Sequence, residues 1–351
     1  MKFSDKIEQW YETHRRNLPW RQTDDPYSIW IAEVIFQQTR INQGLAYYER
    51  FMEQFPTVKH LADADEKEVL KRWQGLGYYS RARNLHHTAR VIIQEHGGAF
   101  PETYEKLIQL KGIGEYTAAA ILSIAFQKPF PVVDGNVSRV LARVFGIRDE
   151  INSSKGKKIF YAKARQLMGN CDPGTFNQAL MEFGALYCVP SNPDCPNCLF
   201  ADACFAYKNK LVEELPVKKP KKATRKRFFH YLVIQDNRGE EPAVFMKKRT
   251  GNDIWRHLYE FPLIETNRVV GKKYLEKLFS DHFDREISLK RLSPVEYKHV
   301  LTHQTILCRF YRINVENTEK FNEEYIRIPL SEVRRYPVSR LVEKYLEEHL
   351  L

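Results

Sequence analysis

Residues 110–118 read LKGIGEYTA, and they separate two segments whose apolar residues recur at the three- and four-residue spacings of helices. Gly112 and Gly114 permit a tight turn that exposes backbone N–H groups at the start of the next helix. Such a turn can bind a phosphate, because the N–H groups at a helix N-terminus carry partial positive charge. Ordinary turns between helices also contain Gly-x-Gly, so this stretch alone leaves both interpretations open.

The same helical pattern extends over the N-terminal half and predicts an all-α domain over residues 1–208. The composition changes at residues 209–227, where prolines interrupt regular structure and seven of the ten residues from 218 to 227 are basic. We predict a basic linker there, either a solvated tether or a segment that contacts phosphate groups. An α+β domain is predicted for residues 228–351, with strands at 228–234, 243–247 and 305–313 and helices at 272–282 and 331–350.

The composition argues against a membrane protein or a secreted protein and favours a protein that binds nucleic acid. Of the 351 residues, 43% are apolar and 28% are charged, and no stretch reaches the ~20 consecutive apolar residues of a membrane span. Residues 1–21 are rich in charge and lack an apolar block, so we expect no secretory signal and a cytoplasmic protein. With 55 basic and 44 acidic side chains, the net charge of +11 indicates a polyanionic partner, most simply nucleic acid.

Four of the six cysteines lie in one short window. Cys188, Cys195, Cys198 and Cys204 are separated by six, two and five residues. A reducing compartment disfavours disulfides, so metal ligation is the leading hypothesis. Zinc sites usually contain two close cysteine pairs, whereas this cluster has a single Cys-x-x-Cys. The looser spacing favours an iron–sulfur cluster over zinc.

Glu33 is a candidate general acid. Its predicted helical neighbours at three and four residues are mainly apolar: Ile29, Trp30, Phe36 and Gln37. A carboxyl group in such surroundings would be desolvated and would keep its proton near neutral pH. The alternative is a glutamate that extends from a partly exposed helix into solvent.

Asp134 is the candidate partner of this acid. It precedes an amphipathic helical pattern, so its simplest role is that of a helix N-cap. The same position favours the ionised form of its carboxyl through the helix dipole. One neutral carboxyl and one carboxylate form the pair that breaks glycosidic bonds through an oxocarbenium-like transition state.

Four motifs in this order resemble the helix-hairpin-helix DNA glycosylases, and most closely the adenine DNA glycosylases of the MutY type. They are IAEVIFQQTR at 31–40, the LKGIGEYTA hairpin, VDGNVSRV at 133–140 and the cysteine cluster. Similar stretches at 18–21, 75–86 and 254–265 extend the resemblance over nearly the whole chain. It implies a six-helix subdomain at about 22–130, a second subdomain of residues 1–21 plus 131–208 with a 4Fe-4S cluster, and a groove that receives a flipped nucleotide.

The resemblance also implies the reaction. The protein would act in base excision repair as a monomer on double-stranded DNA, removing adenine paired with 8-oxoguanine or guanine. Glu33 would protonate N7 of the adenine, and Asp134 would stabilise the sugar cation, directly or as a transient ester. Tyr116 and Asn136 would position these groups.

Further residues would surround the two bases. Trp20, Arg21 and Gln178 would line the adenine pocket. Gln38 and Tyr78 would fill the space around the orphaned 8-oxoguanine. For Tyr78, packing of the aromatic ring in the core is the alternative, although the glycines at 75 and 77 favour an exposed loop.

The C-terminal domain resembles a Nudix fold without the glutamate-rich motif that binds magnesium in the Nudix hydrolases. We therefore expect no nucleotide hydrolysis, and the resemblance implies recognition of 8-oxoguanine by Thr302 and His303. A strand-edge turn with no ligand is the alternative. Leu301 and Thr302 replace the usual Phe and Ser, which predicts a less selective loop. Residues 189–194 lack the basic residue with which relatives contact DNA.

Position 116 separates two reaction types. Endonuclease III-like relatives, which also cut the backbone, have a lysine there, because an amine is needed to form a Schiff base. Tyr116 therefore predicts a monofunctional glycosylase without efficient lyase activity. Two alternatives are a bifunctional glycosylase and lyase for oxidised pyrimidines, and a non-enzymatic iron–sulfur DNA-binding protein such as a redox sensor.

Overall fold

The computed structural model describes residues 2–219, 224–238, 240–284, 286–289, 294–314 and 324–351. The chain forms two compact units: Met1–Asp63 with Asn84–Pro220, and Ala64–Arg83 with Lys221–Leu351. Residues 64–83, which the sequence assigns to the helical domain, therefore group with the C-terminal residues. Residues 220–223 of the predicted linker lie outside the described residues.

The first unit is helical, as the apolar periodicity predicts. Its helices are α1 (Phe3–His14), α2 (Pro26–Ile35), α3 (Ile41–Gln54), α4 (Val58–Asp63), α6 (Ser80–His96, which begins in the second unit), α7 (Tyr104–Leu107), α8 (Glu115–Ile124), α9 (Gly135–Phe145), α10 (Ser154–Met168), α11 (Pro173–Leu186) and α12 (Phe205–Lys208). Helix α5 (Glu66–Arg72) belongs to the second unit. Within the described ranges, no helix combines the length and apolar character needed to cross a membrane.

The LKGIGEYTA stretch forms the turn between α7 and α8. Gly112 has φ +87°, a left-handed conformation that favours glycine, and a Cβ on it would lie 2.7 Å from Cβ of Asn84. Gly114 is the N-cap residue of α8, where its carbonyl accepts from the N–H of Ala118 at 2.9 Å. Both glycines are exposed, so the start of α8 is accessible to a ligand.

Asn177 joins three parts of the helical unit. Its Nδ2 donates to Oγ of Ser123 on α8 and to the carbonyl of Phe130, both at 2.8 Å. Its Oδ1 accepts from the N–H of Val132 at 2.9 Å. Asn177 lies on α11 and is fully buried. It therefore fixes the extended segment that leads into Asp134.

Arg143 on α9 joins the region of the cysteines to the end of the helical unit. Its guanidinium donates to the carbonyls of Val189 (2.7 Å) and Pro190 (2.9 Å), and to those of Val212 and Leu215 (both 3.0 Å). Leu215 is buried in the core of this unit. The first part of the predicted linker is thus packed against α9.

The second unit contains a mixed sheet in the order β3-β2-β1-β6-β5, with β4 paired to β1 and β7 to β2. The strands are β1 (Arg225–Asp236), β2 (Ala243–Lys248), β3 (Tyr259–Glu260), β4 (Leu263–Thr266), β5 (Val295–Val300), β6 (Gln304–Asn314) and β7 (Ile326–Pro329). Strands β1 and β6 are parallel, and the other pairs are antiparallel. The three predicted strands are confirmed.

Side chains alternate along the strands, so both faces of the sheet carry apolar side chains. A helix packs against each face. On one face, α13 (Lys272–Phe283) packs Phe279 into a cluster with Leu232 of β1. On the other face, Tyr345 of α14 (Arg340–His349) stacks on Phe310 of β6 with ring centroids 4.3 Å apart. The helix predicted at 331–350 was placed too early, since Ser339 caps α14 by accepting from the N–H of Val342 at 3.4 Å. These layers confirm the α+β prediction.

Replacing Asn177 with alanine would remove the hydrogen-bond partner of three polar groups that are buried or partly buried. We expect a loss of about 2–4 kcal/mol in the free energy of unfolding, measured by denaturant titration. Asn209→Ala is the matched control, because the Asn209 amide also bonds a carbonyl, that of Phe205 at 2.8 Å, but is exposed. Equal stability losses in the two variants would contradict the assigned role of Asn177.

Candidate active site

Helix α2 carries Glu33. Asp25 caps the start of this helix, and its carboxylate accepts from the N–H groups of Tyr27 (3.2 Å) and Ser28 (2.9 Å). Nearly all other residues of α2 are buried, as the apolar sequence predicts. Glu33 keeps part of its surface exposed, and it borders a large cleft.

The cleft has about 2250 Å³ of empty space within the helical unit. Its walls include most of the residues predicted for the reaction: Trp20, Arg21, Glu33, Gln38, Tyr116, Asp134, Asn136 and Gln178. Residues far apart in sequence are thus brought to one cavity, and three carboxyl groups border it, those of Glu33, Asp134 and Glu182. Such a cavity is large enough to admit a nucleotide.

Burial raises the pKa of Glu33 to about 7, from an ordinary value of 4.5. A hydrogen bond from Tyr116 opposes this shift, the charge of Asp134 adds to it, and Arg21 opposes it. The group therefore holds a proton at a pH where an exposed glutamate would be ionised. This is the state that a general acid requires.

Asp134 is the N-cap of α9. Its Oδ1 accepts from the N–H of Val137 at 2.7 Å, and its Oδ2 accepts from Nδ2 of Asn136 at 2.8 Å. Burial raises its pKa, while these bonds and Arg139 act in the opposite direction. The groups at the N-terminus of α9 lower the pKa of Asp134, as predicted, but burial raises it by more. Both oxygens nevertheless face N–H donors, an arrangement suited to a carboxylate.

Tyr116 lies in the first turn of α8, directly after the glycine hairpin. Its hydroxyl is hydrogen-bonded to Glu33 and lies 3.6 Å from Sδ of Met181 on α11. Burial raises its pKa well above the ordinary value, so the hydroxyl stays protonated. The group at this position can donate a hydrogen bond, but it is not an amine.

Sequence reasoning missed Arg139, which holds Asn136 in place. The Arg139 guanidinium donates to Oδ1 of Asn136 (2.9 Å) and to the carbonyls of Gly184 and Cys188 (both 2.7 Å). A Cβ on Gly184 would lie 2.7 Å from Cβ of Asn136, so α11 approaches α9 closely. The three-residue spacing of Asn136 and Arg139 on one helix was the available signal.

The wall of the cleft near Trp20 contains a second missed group, Glu182. Burial alone would raise the pKa of Glu182, but hydrogen bonds from Arg16 and Arg21 lower it to about 2. Arg21 donates to both carboxylate oxygens at 2.8 Å. On the same helix, Oε1 of Gln178 accepts from the hydroxyl of Tyr11 at 2.6 Å. This wall therefore offers fixed polar groups to a ligand.

The residues predicted to contact the opposite base lie partly in the second unit. Tyr78 is exposed and has φ +48°, and its hydroxyl is hydrogen-bonded to that of Thr302. Thr302 and His303 are exposed in the short turn between β5 and β6, which the bond from the N–H of Leu301 to the carbonyl of Gln304 closes at 2.8 Å. The exposed conformation of Tyr78 disfavours a packing role for its ring.

The four clustered cysteines line one cavity with about 370 Å³ of empty space. Burial raises the pKa of Cys198 to about 11, and the neighbouring thiols add to the shift, so four thiolates would require a bound cation. In the described part of the chain, no three His, Cys, Asp or Glu side chains converge as for a single metal ion. Thiols around a shared cavity fit a polynuclear cluster better than one zinc ion.

Comparisons with known proteins agree with this geometry. Residues 31–166 match the HhH-GPD superfamily of base excision DNA repair proteins, and residues 230–348 match the NUDIX domain. An adenine DNA glycosylase of Buchnera aphidicola subsp. Baizongia pistaciae is 34% identical over 308 residues, covering 87% of this chain and 84% of that protein. The adenine DNA glycosylase of Homo sapiens is 41% identical over 222 residues, covering 61% of this chain and 41% of that protein.

Solved structures are similar to the helical unit. A thermostable thymine-DNA glycosylase is 32% identical with a TM-score of 0.55, covering 59% of this chain and 95% of that one. An endonuclease III trapped covalently on DNA covers the same shares at 22% identity and a TM-score of 0.52, which shows a common fold alone. Together with the relatives that match most of its length, these similarities show that the chain belongs to the adenine DNA glycosylase family of helix-hairpin-helix base excision repair proteins.

Proposed function

We propose that this protein hydrolyses the N-glycosidic bond of adenine paired with 8-oxoguanine or guanine in double-stranded DNA. The observation that carries the proposal is that Glu33, whose pKa burial raises to about 7, and Asp134 border one cleft large enough to admit a nucleotide. In this proposal the protein acts as a monomer in the cytosol, and its net charge of +11 favours binding to the DNA backbone. The exposed hairpin at Gly112 and Gly114 offers N–H groups to a phosphate.

Each step of the reaction has a group suited to it. The Glu33 hydroxyl donates its proton to N7 of the flipped adenine, so that the neutral base leaves with the electrons of the C–N bond. Asp134 stabilises the positive charge that develops on the sugar, directly or through a transient ester. Tyr116 and Asn136 hold the two carboxyl groups, and water completes the hydrolysis. Trp20, Arg21 and Gln178 line the pocket for the adenine.

The opposite base is assigned to a different set of residues. Gln38 and Tyr78 would occupy the space around the orphaned 8-oxoguanine, and Thr302 and His303 would bind it. The bond between the Tyr78 and Thr302 hydroxyls supports this assignment, because it holds two of these side chains together. Residues 228–351 would thus form the domain that recognises the lesion.

Cys188, Cys195, Cys198 and Cys204 would hold a 4Fe-4S cluster. When bound, the cluster supplies the positive charge that keeps four neighbouring thiolates in one place. An N–H of Arg143 lies 3.5 Å from Sγ of Cys188, where it would stabilise a thiolate ligand. The same guanidinium binds the carbonyls of Val189 and Pro190, so it orders the start of the loop between the ligands.

Replacing Glu33 with glutamine removes the acidic proton while keeping the shape of the side chain. We expect excision from an adenine:8-oxoguanine duplex, and from adenine:guanine, to slow by about 10²–10⁴-fold in single-turnover assays. Glu53→Gln is the control, because Glu53 lies exposed on the neighbouring helix α3. Excision by Glu33→Gln at the rate of the unmodified protein would exclude Glu33 as the acid.

The pH dependence of excision follows from the raised pKa of Glu33. The reactive form is the protonated one, so the single-turnover rate should fall as pH rises through about 7, by about tenfold per unit beyond it. The fall should be absent from the residual activity of Glu33→Gln. A rate that stays constant from pH 6 to pH 9 would rule out the proposed acid.

The absence of an amine at position 116 predicts a monofunctional enzyme. Borohydride treatment during turnover should not trap a covalent protein–DNA adduct efficiently with the unmodified chain, because a Schiff base requires an amine in the cleft. The variant Tyr116→Lys places an amine in the same cleft and should form the adduct. Efficient trapping of the unmodified protein would instead favour the bifunctional glycosylase and lyase.

A further inference from the structure

We propose that Met181 is a positioning residue for the acid of this enzyme. Its sulfur accepts the hydrogen bond of the Tyr116 hydroxyl when Glu33 carries its proton. This inference rests on the proposed function, because it concerns the same proton of Glu33. It adds a side chain that neither the sequence motifs nor the proposed mechanism uses.

The geometry joins three side chains from three helices. The Tyr116 hydroxyl on α8 is hydrogen-bonded to Glu33 on α2 and lies 3.6 Å from the Met181 sulfur on α11. This separation is within hydrogen-bonding range for sulfur, which is a weak acceptor. All three residues border the cleft. The hydroxyl thus has two partners, the Glu33 carboxyl and the Met181 sulfur.

A hydroxyl has one hydrogen, and its direction depends on the charge of Glu33. When Glu33 is ionised, its carboxylate can only accept, so Tyr116 donates to it. When Glu33 is protonated, its O–H is free to donate to N7 and its neutral carboxyl accepts more weakly than a carboxylate, so the Tyr116 hydrogen can turn towards Met181. The sulfur thereby gives the hydroxyl hydrogen an acceptor in the reactive, protonated state of Glu33.

Other charged groups set the background for this equilibrium. Those that act on Glu33 are Tyr116 from α8, Asp134 from the start of α9 and Arg21 from the turn at Pro19–Arg21. On α11, Glu182 also borders the cleft, but Arg16 and Arg21 compensate its charge. A change at Met181 that preserves its volume leaves all of these charges in place.

Replacing Met181 with leucine removes the acceptor and keeps an apolar side chain of similar size. The protonated form of Glu33 is then less stable relative to the ionised form, so the pKa of Glu33 falls. We expect the midpoint of the alkaline fall in the single-turnover rate to move down by about half a pH unit. The rate at low pH should stay within about twofold, because the protonated acid still forms there.

The matched control is Met168→Leu, because Met168 is fully buried in the core of the same unit and is not among the residues that border the cleft. Its midpoint should equal that of the unmodified protein. A second test uses the Tyr116→Phe background, which has no hydroxyl hydrogen to place. There, the additional change Met181→Leu should leave the midpoint unmoved.

Three outcomes would overturn the inference. One is an unchanged midpoint in Met181→Leu, and another is a uniform loss of rate at all pH values, which would indicate packing against the substrate. The third is an equal shift in the Tyr116→Phe background. If Glu33→Gln is slowed as expected in these cases, the inference fails and the proposed function stands. If Glu33→Gln excises adenine at the original rate, both fail.

Discussion

Desolvation of one carboxyl group is the constraint on which the site depends. Nearly all side chains of helix α2 apart from Glu33 are buried, and Glu33 lies among these buried side chains at the edge of the cleft. The chain must lose stability to keep it there. Unfolded, this carboxyl would lose its proton near pH 4.5, whereas in the folded protein it does so near 7. Stability contributed by the bound proton is therefore lost as pH rises through this window.

The carboxylate partner depends on a different kind of support, a set of directed hydrogen bonds. Asp134 is held by the N–H of Val137 and by the Asn136 amide. Asn136 is held in turn by Arg139, and Asn177 fixes the preceding segment through Val132. Each of these partners is buried or partly buried, so the position of the carboxylate is set by the core.

Local patterns predicted those parts of the molecule whose causes are local. The apolar periodicity, the glycine turn and the N-cap position of Asp134 were all readable from adjacent residues. The raised pKa of Glu33 was foreseen from its neighbours on the helix. Contacts between distant segments were not readable, and Glu182 with its two arginines shows why. Nothing near position 182 in the sequence tells that Arg16 and Arg21 will meet it.

The hydrogen bonds of Arg143 determine where the helical unit can be truncated. Its guanidinium holds the carbonyls of Val212 and Leu215, and the N–H of Ile151 donates to the carbonyl of Val217 at 3.2 Å. A truncated catalytic fragment that stops at residue 208 would strip these acceptors away and open the apolar interior around Leu215 to water. A fragment that ends after residue 217 keeps the hydrogen bonds to Val212, Leu215 and Val217.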